Sequence, residues 1–479
     1  MPRASQPGLV RRILATISLA LVGILGAAGS YAAGSWSVGF SAEGMVDSFE
    51  LETAVMEQAP TARPLPPVDV AALRIPTCSI ATTLEAQELG SFAGIVVDPV
   101  TDDILFARNS AEALAPASVQ KILTAAAALT TLGSDTTFQT STWVGDDAET
   151  LILKAGGDLT LSATADGTES VYVGAAKLSD LAQQTIDALG AGLPEGEKVT
   201  IRELVVDASL WDSEDNWRDA WASSARSNGY ISRITPLQID GDRFNPSGVM
   251  SQRSNDPMGR AASAFVSALR QAGNSARFVT ITYSETPEEA SQVSSVSSRP
   301  VSELVNYMLK ESDNTVAEML GRHVSLAQGF GGSGDSIGEA LLASLAVLGL
   351  NQDALSLDDA SGLSAENRIT PDYVGSLLAQ IYRNEEALTL MKEGFPVAGV
   401  DGSLDDRFDG SNEALHGQVF AKTGSIQGVR SLAGWVTAED GSDLVFAFFA
   451  SGDVSDAARG ALETVVAGVY GCGSNLADF

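Results

Sequence analysis

Three short polar clusters divide this chain, and their spacing constrains its architecture more than any other feature. They are Ser118-Val119-Gln120-Lys121, Ser312-Asp313-Asn314 and Lys422-Thr423-Gly424-Ser425. From Ser118 to Ser312 is 312 − 118 = 194 residues, and from Ser312 to Lys422 is 422 − 312 = 110. A gap of 194 residues is long enough to hold a domain of its own. If the three clusters line one cleft, the chain leaves that unit after the first cluster and returns to it before the second.

Each cluster has chemical content. Ser118 follows Pro116 at the start of an Ala-rich helical stretch, Val119–Leu132, closed by Gly133. Residues three apart share a helix face, so Lys121 can reach the Ser118 hydroxyl. A serine hydroxyl is a poor nucleophile until an adjacent base takes its proton, and a desolvated lysine amine can do that. None of the other six lysines has a serine three residues before it. Ser312 and Asn314 fall in a break between the helical stretches Val301–Leu309 and Thr315–Leu326, where a hydroxyl can relay a proton and an amide can hold a carbonyl. This is the only Ser-x-Asn in the chain. Lys422 ends a strand-like run. It offers positive charge, Thr423 and Ser425 offer hydroxyls, and Gly424 allows a ligand close to the strand edge. Taken singly, each cluster also suits a structural role: an N-cap serine beside an exposed lysine, an N-cap before Thr315, an ordinary strand end.

Periodicity predicts the remaining elements. A hairpin is expected from Phe92–Val97 and Ile104–Ala107. The long gap alternates strand-like runs (Thr140–Val144, Thr150–Lys154, Leu204–Asp207, Phe278–Tyr283) with helical ones (Leu178–Leu189, Ala261–Ala272). Helices are expected at Ser336–Leu348, Thr370–Asn384 and Ala457–Tyr470, and strands at Val419–Lys422, Ser431–Val436 and Leu444–Ala450. Residues 79–137 and 291–479 are therefore expected to form one domain in two parts, with 138–290 inserted.

At the N-terminus, Arg3, Arg11 and Arg12 precede an apolar run, Ile13–Gly26, and then small residues to Ala33. That is the order of an export signal, so 1–32 is expected to be a signal peptide or membrane anchor, and 33–78 a Pro-containing spacer. An extracytoplasmic location follows, and it permits disulfides. The two cysteines, Cys78 and Cys472, flank the folded region. They are a candidate bridge, with two buried thiols as the alternative. With 61 acidic against 29 basic residues, a net charge of −32 repels phosphate backbones and sets nucleic acid aside as a partner. Two histidines, His323 and His416, and two cysteines supply neither a multi-His nor a thiolate metal site, and no cofactor is expected.

The order Ser-x-x-Lys, Ser-x-Asn, Lys-Thr-Gly resembles the signature of the penicillin-recognising serine acyltransferases. The 194-residue gap narrows the resemblance to the S13-type D-alanyl-D-alanine carboxypeptidases/endopeptidases, the class C low-molecular-mass penicillin-binding proteins. Gly156-Gly157-Asp158-Leu159-Thr160-Leu161, Asp359-Ala360-Ser361-Gly362-Leu363-Ser364 and Gly399-Val400-Asp401-Gly402-Ser403-Leu404 are also similar to that family, and the likeness runs roughly from Gly90 to Gly452. It implies an α+β transpeptidase fold of the penicillin-binding protein/β-lactamase type. This is an antiparallel sheet flanked by helices, with the Ser118 helix central and a second α/β domain inserted between the first and second motifs.

The resemblance also implies an activity. A serine D-Ala-D-Ala carboxypeptidase and DD-endopeptidase would act on peptidoglycan stem peptides through an acyl-enzyme on Ser118, and would be acylated by β-lactams. Lys121 would be the base, Ser312 the proton relay, and the N–H groups of Ser118 and Ser425 the oxyanion hole. Lys422, Thr423 and Ser425 would hold the terminal carboxylate. Asp158 is expected either to contact a diamino-acid side chain of the substrate or to cap its own loop. Two departures stand out. Ala365 occupies a position where the family often carries arginine, and Asp240 leads so quickly to the helical stretch at Ala261 that no third, nested domain is expected. Other readings are a β-lactamase or esterase on the same scaffold, or a cell-wall binding protein without catalysis. The long insertion argues against the first and the three intact clusters against the second.

Overall fold

The computed structural model describes residues 77–383 and 386–477. The expected export signal and nearly all of the spacer lie outside the described residues.

Ten strands form two sheets among the described residues. The first sheet takes β1 (Ser91–Val97) and β2 (Ile104–Arg108) from the start of the chain. It takes β8 (Val419–Ile426), β9 (Val429–Thr437) and β10 (Asp443–Ser451) from its end. The order is β2-β1-β10-β9-β8, antiparallel throughout. β10 is apolar at nearly every position because both of its faces are covered. Val445, Ala447 and Phe449 join one buried cluster, while Leu444, Phe446, Phe448 and Ala450 join another on the opposite face.

Helices α1 (Gln120–Leu132), α4 (Val301–Glu311), α5 (Asn314–Ala327), α6 (Ile337–Leu345) and α7 (Pro371–Tyr382) contribute to the first cluster, and α8 (Ala457–Cys472) to the second. Helix α1 is buried from Gln120 through Leu129. Its alanines, Ala125–Ala128, have no side chain long enough to hold α4, α5 and α6 away, so all three pack against it. Gly133 ends α1 with a φ of 84°.

The second sheet lies in the long gap. It comprises β3 (Gln139–Val144), β4 (Thr150–Lys154), β5 (Glu203–Asp207), β6 (Thr280–Tyr283) and β7 (Ser291–Ser297), in the order β6-β5-β4-β3-β7. Strands β4, β5 and β6 run parallel. Their crossovers carry α2 (Leu178–Gly190) and α3 (Pro257–Ala272), whose Leu181, Phe265 and Leu269 pack on Leu153, Leu204 and Val206. The expected boundary at 290 is corrected by β7: Ser291–Ser297 pairs with Gln139–Val144, so the inserted sheet extends through Ser297. Between Asp240 and α3 the chain makes one 3-10 turn, Asp240–Asp242, and an Arg243–Arg253 bridge. The insertion also enters the main core, where Trp211, Trp221, Ile231 and Ile234 share a buried cluster with α1 and α5.

Cys78 and Cys472 are joined, with Cα atoms 5.4 Å apart and a sequence separation of 394. Among the described residues no helix is long and apolar enough to cross a membrane.

Candidate active site

The turn before α1 is held from two sides. Ala117 has a φ of 48°, a left-handed conformation that costs an L-residue energy and persists only where neighbours enforce it. Here Ser431 Oγ on β9 donates to Pro116 O at 2.5 Å. A Cβ at Gly424 would lie 2.8 Å from Pro116 O, and one at Gly362 would collide with Ala117 O. These two glycines let β8 and the 359–364 loop close on the turn. The 3-10 turn Ala117–Val119 then delivers Ser118 to the start of α1.

Lys121 lies one turn further on and is fully buried. Its Nζ is 2.6 Å from Asn314 Oδ1, 2.6 Å from Ser361 O and 3.0 Å from Ser118 Oγ. Burial pushes the amine down to about 8, against the charges of Asp359, Glu318 and Asp313, which favour the ammonium. A neutral amine keeps two N–H donors and one lone pair. With two acceptors already facing it, the lone pair is left for the Ser118 hydroxyl.

Those acceptors are themselves fixed. Asp359 accepts from the Gly362 and Ser364 amides at 2.7 and 2.8 Å, from Asn367 Nδ2 at 2.9 Å and from Trp221 Nε1 at 2.8 Å. Glu318 accepts from the Ala360 and Ser361 amides at 3.1 and 2.8 Å, and burial pushes its carboxyl up to about 8. Together they set the loop that presents Ser361 O.

The second cluster joins α4 to α5. Ser312 ends α4 with φ 56°, and Asp313 caps α5 by accepting from the Val316 amide at 3.0 Å. Asn314 Nδ2 donates to Tyr230 O at 3.0 Å, which aims its oxygen at Lys121. From β8, Lys422 Nζ donates to Ser312 Oγ at 2.8 Å and to Thr423 O at 3.0 Å. Burial, then the Lys121 charge, hold Lys422 well below an ordinary lysine, and Glu311 acts in the opposite sense. Thr423 Oγ1 lies 2.9 Å from Ser403 Oγ, and Arg459 Nη2 lies 3.4 Å from Ser425 Oγ.

A cleft of about 890 Å³ opens over these groups, lined by Ser118, Ser312, Asn314, Thr423 and Ser425 and, across from them, by residues of the insertion such as Trp221 and Tyr230. All three clusters thus meet at one place. Ala365 also lines the cleft, and the nearby Arg368 turns back to bind Ala365 O at 2.7 Å.

One expected site residue is not there. Asp158 is 2% exposed, accepts from the Thr160 amide and hydroxyl at 2.8 and 2.6 Å, and does not line the cleft. It caps its own loop, so the substrate contact expected of it is withdrawn. His416 faces Asp409 at 3.5 Å, and His323 is stacked on Phe138 and hydrogen-bonded to Gly157 O. Glu318, Asp359, Trp221 and Tyr230 support the site but carried no local sequence signal of that role; only Asp359 fell within a segment marked by the resemblance.

The model of the D-Ala-D-Ala carboxypeptidase 3 (S13) family matches residues 77–252 and 246–469. The chain is 33% identical over 415 residues to Carboxypeptidase DacB of Mycolicibacterium smegmatis, covering 85% of this chain and 87% of that one. It is 32% identical over 406 residues to a carboxypeptidase of Mycobacterium tuberculosis, covering 83% and 84%. Among solved structures, penicillin binding protein 4 of Haemophilus influenzae matches with a TM-score of 0.65 at 22% identity, over 79% of this chain and 95% of that one. The fold is therefore the penicillin-binding, β-lactamase-like one. The chain belongs to the D-Ala-D-Ala carboxypeptidase 3 (S13) family of serine peptidases.

Proposed function

We propose that this protein is a serine D-alanyl-D-alanine carboxypeptidase of peptidoglycan stem peptides, working through an acyl-enzyme on Ser118, and that it cuts D-Ala-linked cross-bridges by the same chemistry. The observation that carries the reading is the buried Lys121 amine, 3.0 Å from Ser118 Oγ with both of its other neighbours acting as acceptors.

Ser118 Oγ attacks the carbonyl of the penultimate D-Ala while Lys121 takes the hydroxyl proton. The N–H groups of Ser118 and Ser425 receive the negative charge that develops on the carbonyl oxygen. Ser312, 2.8 Å from Lys422, relays a proton to the leaving nitrogen, the C–N bond breaks, and terminal D-Ala departs as the free amino acid. Water then attacks the ester, and the proton it gives up restores the Ser118 hydroxyl. Asn314 holds the backbone carbonyl of the acyl portion. Lys422, Thr423 and Ser425 hold the terminal carboxylate, while the lack of a side chain at Gly424 serves the close packing of β8 on the Pro116–Ala117 turn and not the approach of the ligand. A β-lactam acylates Ser118 in the same way, and release is slow. Such a substrate requires an extracytoplasmic location, consistent with the export pattern at Arg3–Ala33.

Incubation with a labelled penicillin followed by peptide mapping tests the nucleophile. Label is expected on Ser118 and absent in Ser118→Ala; equal labelling of the two would sink the mechanism. Release of D-Ala from a stem pentapeptide tests the substrate. If neither that peptide nor a cross-linked dimer is cut while Ser118 is labelled, the protein binds wall peptides without hydrolysing them. Rapid turnover of a chromogenic β-lactam would instead favour a β-lactamase.

A further inference from the structure

The insertion reaches the second cluster through a buried ion pair. Arg243 Nη2 donates to Asp313 Oδ2 at 2.8 Å, with the two side chains 3% and 4% exposed. The Tyr172 hydroxyl donates to the same oxygen at 3.1 Å and accepts from Arg243 Nη1 at 2.7 Å, and the guanidinium lies over the Tyr172 ring. The backbone that delivers Arg243 is unusual. Asp240, Gly241 and Asp242 have φ of 51°, 59° and 59°, and a Cβ on Gly241 would collide with the Tyr172 hydroxyl and the Arg243 guanidinium. Asp242 fixes this turn by accepting from the Ser254 amide at 2.7 Å and pairing with Arg260.

Asp313 stands between the two residues of its cluster that face the lysines. One of its oxygens starts α5 through the Val316 amide, and the other is held by Arg243 and Tyr172. The left-handed Ser312 and the first-turn Asn314 are therefore both tied to a carboxylate that the insertion grips. The same inserted segment steadies the other contacts of Lys121, through Tyr230 O on Asn314 and Trp221 on Asp359.

We propose that Arg243 is a positioning residue: by holding Asp313 it keeps Ser312 against Lys422 and Asn314 against Lys121, so the inserted domain is part of the acylating apparatus and not only a wall of the cleft. This rests on the reading of Ser118 as nucleophile. A buried pair of this kind costs desolvation, and losing one partner leaves an uncompensated charge. Lys121 is faced by Asp313, Glu318, Asp359 and Lys422, and Asp313 by Arg243, Arg253, Tyr172, Tyr307 and Glu311. Burial pushes Asp313 up and Arg243 is the largest influence holding it down; as long as Arg253 and the Val316 amide keep the carboxylate charged in the absence of Arg243, its less compensated charge favours the Lys121 ammonium. The acid limb of acylation then moves to higher pH.

The test is the rate of acylation of the full-length protein by a fluorescent penicillin, followed from about pH 5.5 to 9.5 and at rising drug concentration, which separates reversible binding from the covalent step. Arg243→Met should slow the covalent step about a hundredfold, the scale of a small misplacement of reacting groups. It should also move the acid limb up by about one pH unit, with reversible affinity changed far less. Arg243→Lys should return the limb towards its original position but recover only part of the rate, because one ammonium cannot reproduce both guanidinium bonds. Should Arg243→Met fail to fold, Tyr172→Phe carries the test, with the covalent step expected to be several-fold slower. A limb and rate unchanged in these variants, or a loss confined to reversible binding, would overturn the proposal. Absence of label on wild-type Ser118 would remove the acyl-enzyme reading and this proposal with it. A labelled wild type with indifferent variants removes only the brace.

Discussion

If the Lys121 amine is the base for acylation, the rate must follow its proton. With the amine at about 8, about half of the molecules carry a neutral base at pH 8, about a tenth at pH 7 and about a hundredth at pH 6. The second-order acylation constant should therefore climb about tenfold per pH unit up to pH 7 and level off above 8. Lys121→Met fills a similar volume without a base and should lose a factor of about 10² to 10⁴. Glu318 titrates in the same window, since burial pushes it up to about 8 as well. Glu318→Gln removes that titration while leaving an oxygen for the Ala360 and Ser361 amides. A limb that survives in Glu318→Gln belongs to Lys121. The assay is stopped-flow labelling by a fluorescent penicillin. A rate that stays flat from pH 6 to 9, or acylation of Lys121→Met within about tenfold of wild type, would refute the assignment.

Three further outcomes are expected. Arg459→Ala should raise KM several-fold for a peptide ending in a free carboxylate and leave its C-terminal amide unaffected, because Arg459 adds positive charge beside Ser425; equal effects on both peptides would count against it. His323 is held neutral by burial, down to about 4, so it opposes folding once the unfolded chain's imidazole takes a proton below its usual 6.5. Stability is full above that value and falls as pH drops towards 4, by about 2 kcal/mol between pH 7 and 5; His323→Phe should flatten that part of a urea-denaturation series. Reducing the Cys78–Cys472 bond opens a closed loop spanning 394 residues and should cost about 3–5 kcal/mol, and an unchanged denaturation midpoint under reductant would contradict this.

The helices and most strands were legible because their apolar residues repeat at 3.6 or 2, or because a central strand such as β10 is apolar from Leu444 through Ala450. β7 was not: Ser291-Gln292-Val293-Ser294-Ser295-Val296-Ser297 lies at a sheet edge, largely unburied, and needs no apolar face. The Ser118–Lys121 pair was legible because helix geometry puts the two residues three apart. Their supports were not, because Arg243 and Asp313 are 70 residues apart and Trp221 and Asp359 are 138 apart, distances at which nothing local marks a pair. Asp158 misled for the converse reason. An aspartate that caps its own loop and one that binds a ligand look alike until burial is known.

The order of strands in the first sheet has a kinetic consequence. β1 pairs along its whole length with β10, Ser91 opposite Ser451, so this sheet closes only when segments 360 residues apart have met. The second sheet draws only on Gln139 through Ser297 and can assemble while the C-terminal third is still being synthesised. Ser118 and Lys121 are made early, but β8, which brings Lys422 to Ser312, is stitched into the sheet through β9 and β10. A growing chain therefore holds Ser118 and Lys121 before Lys422 can reach Ser312. Hydrolytic competence arrives with the last strands, in a step that topology makes slow.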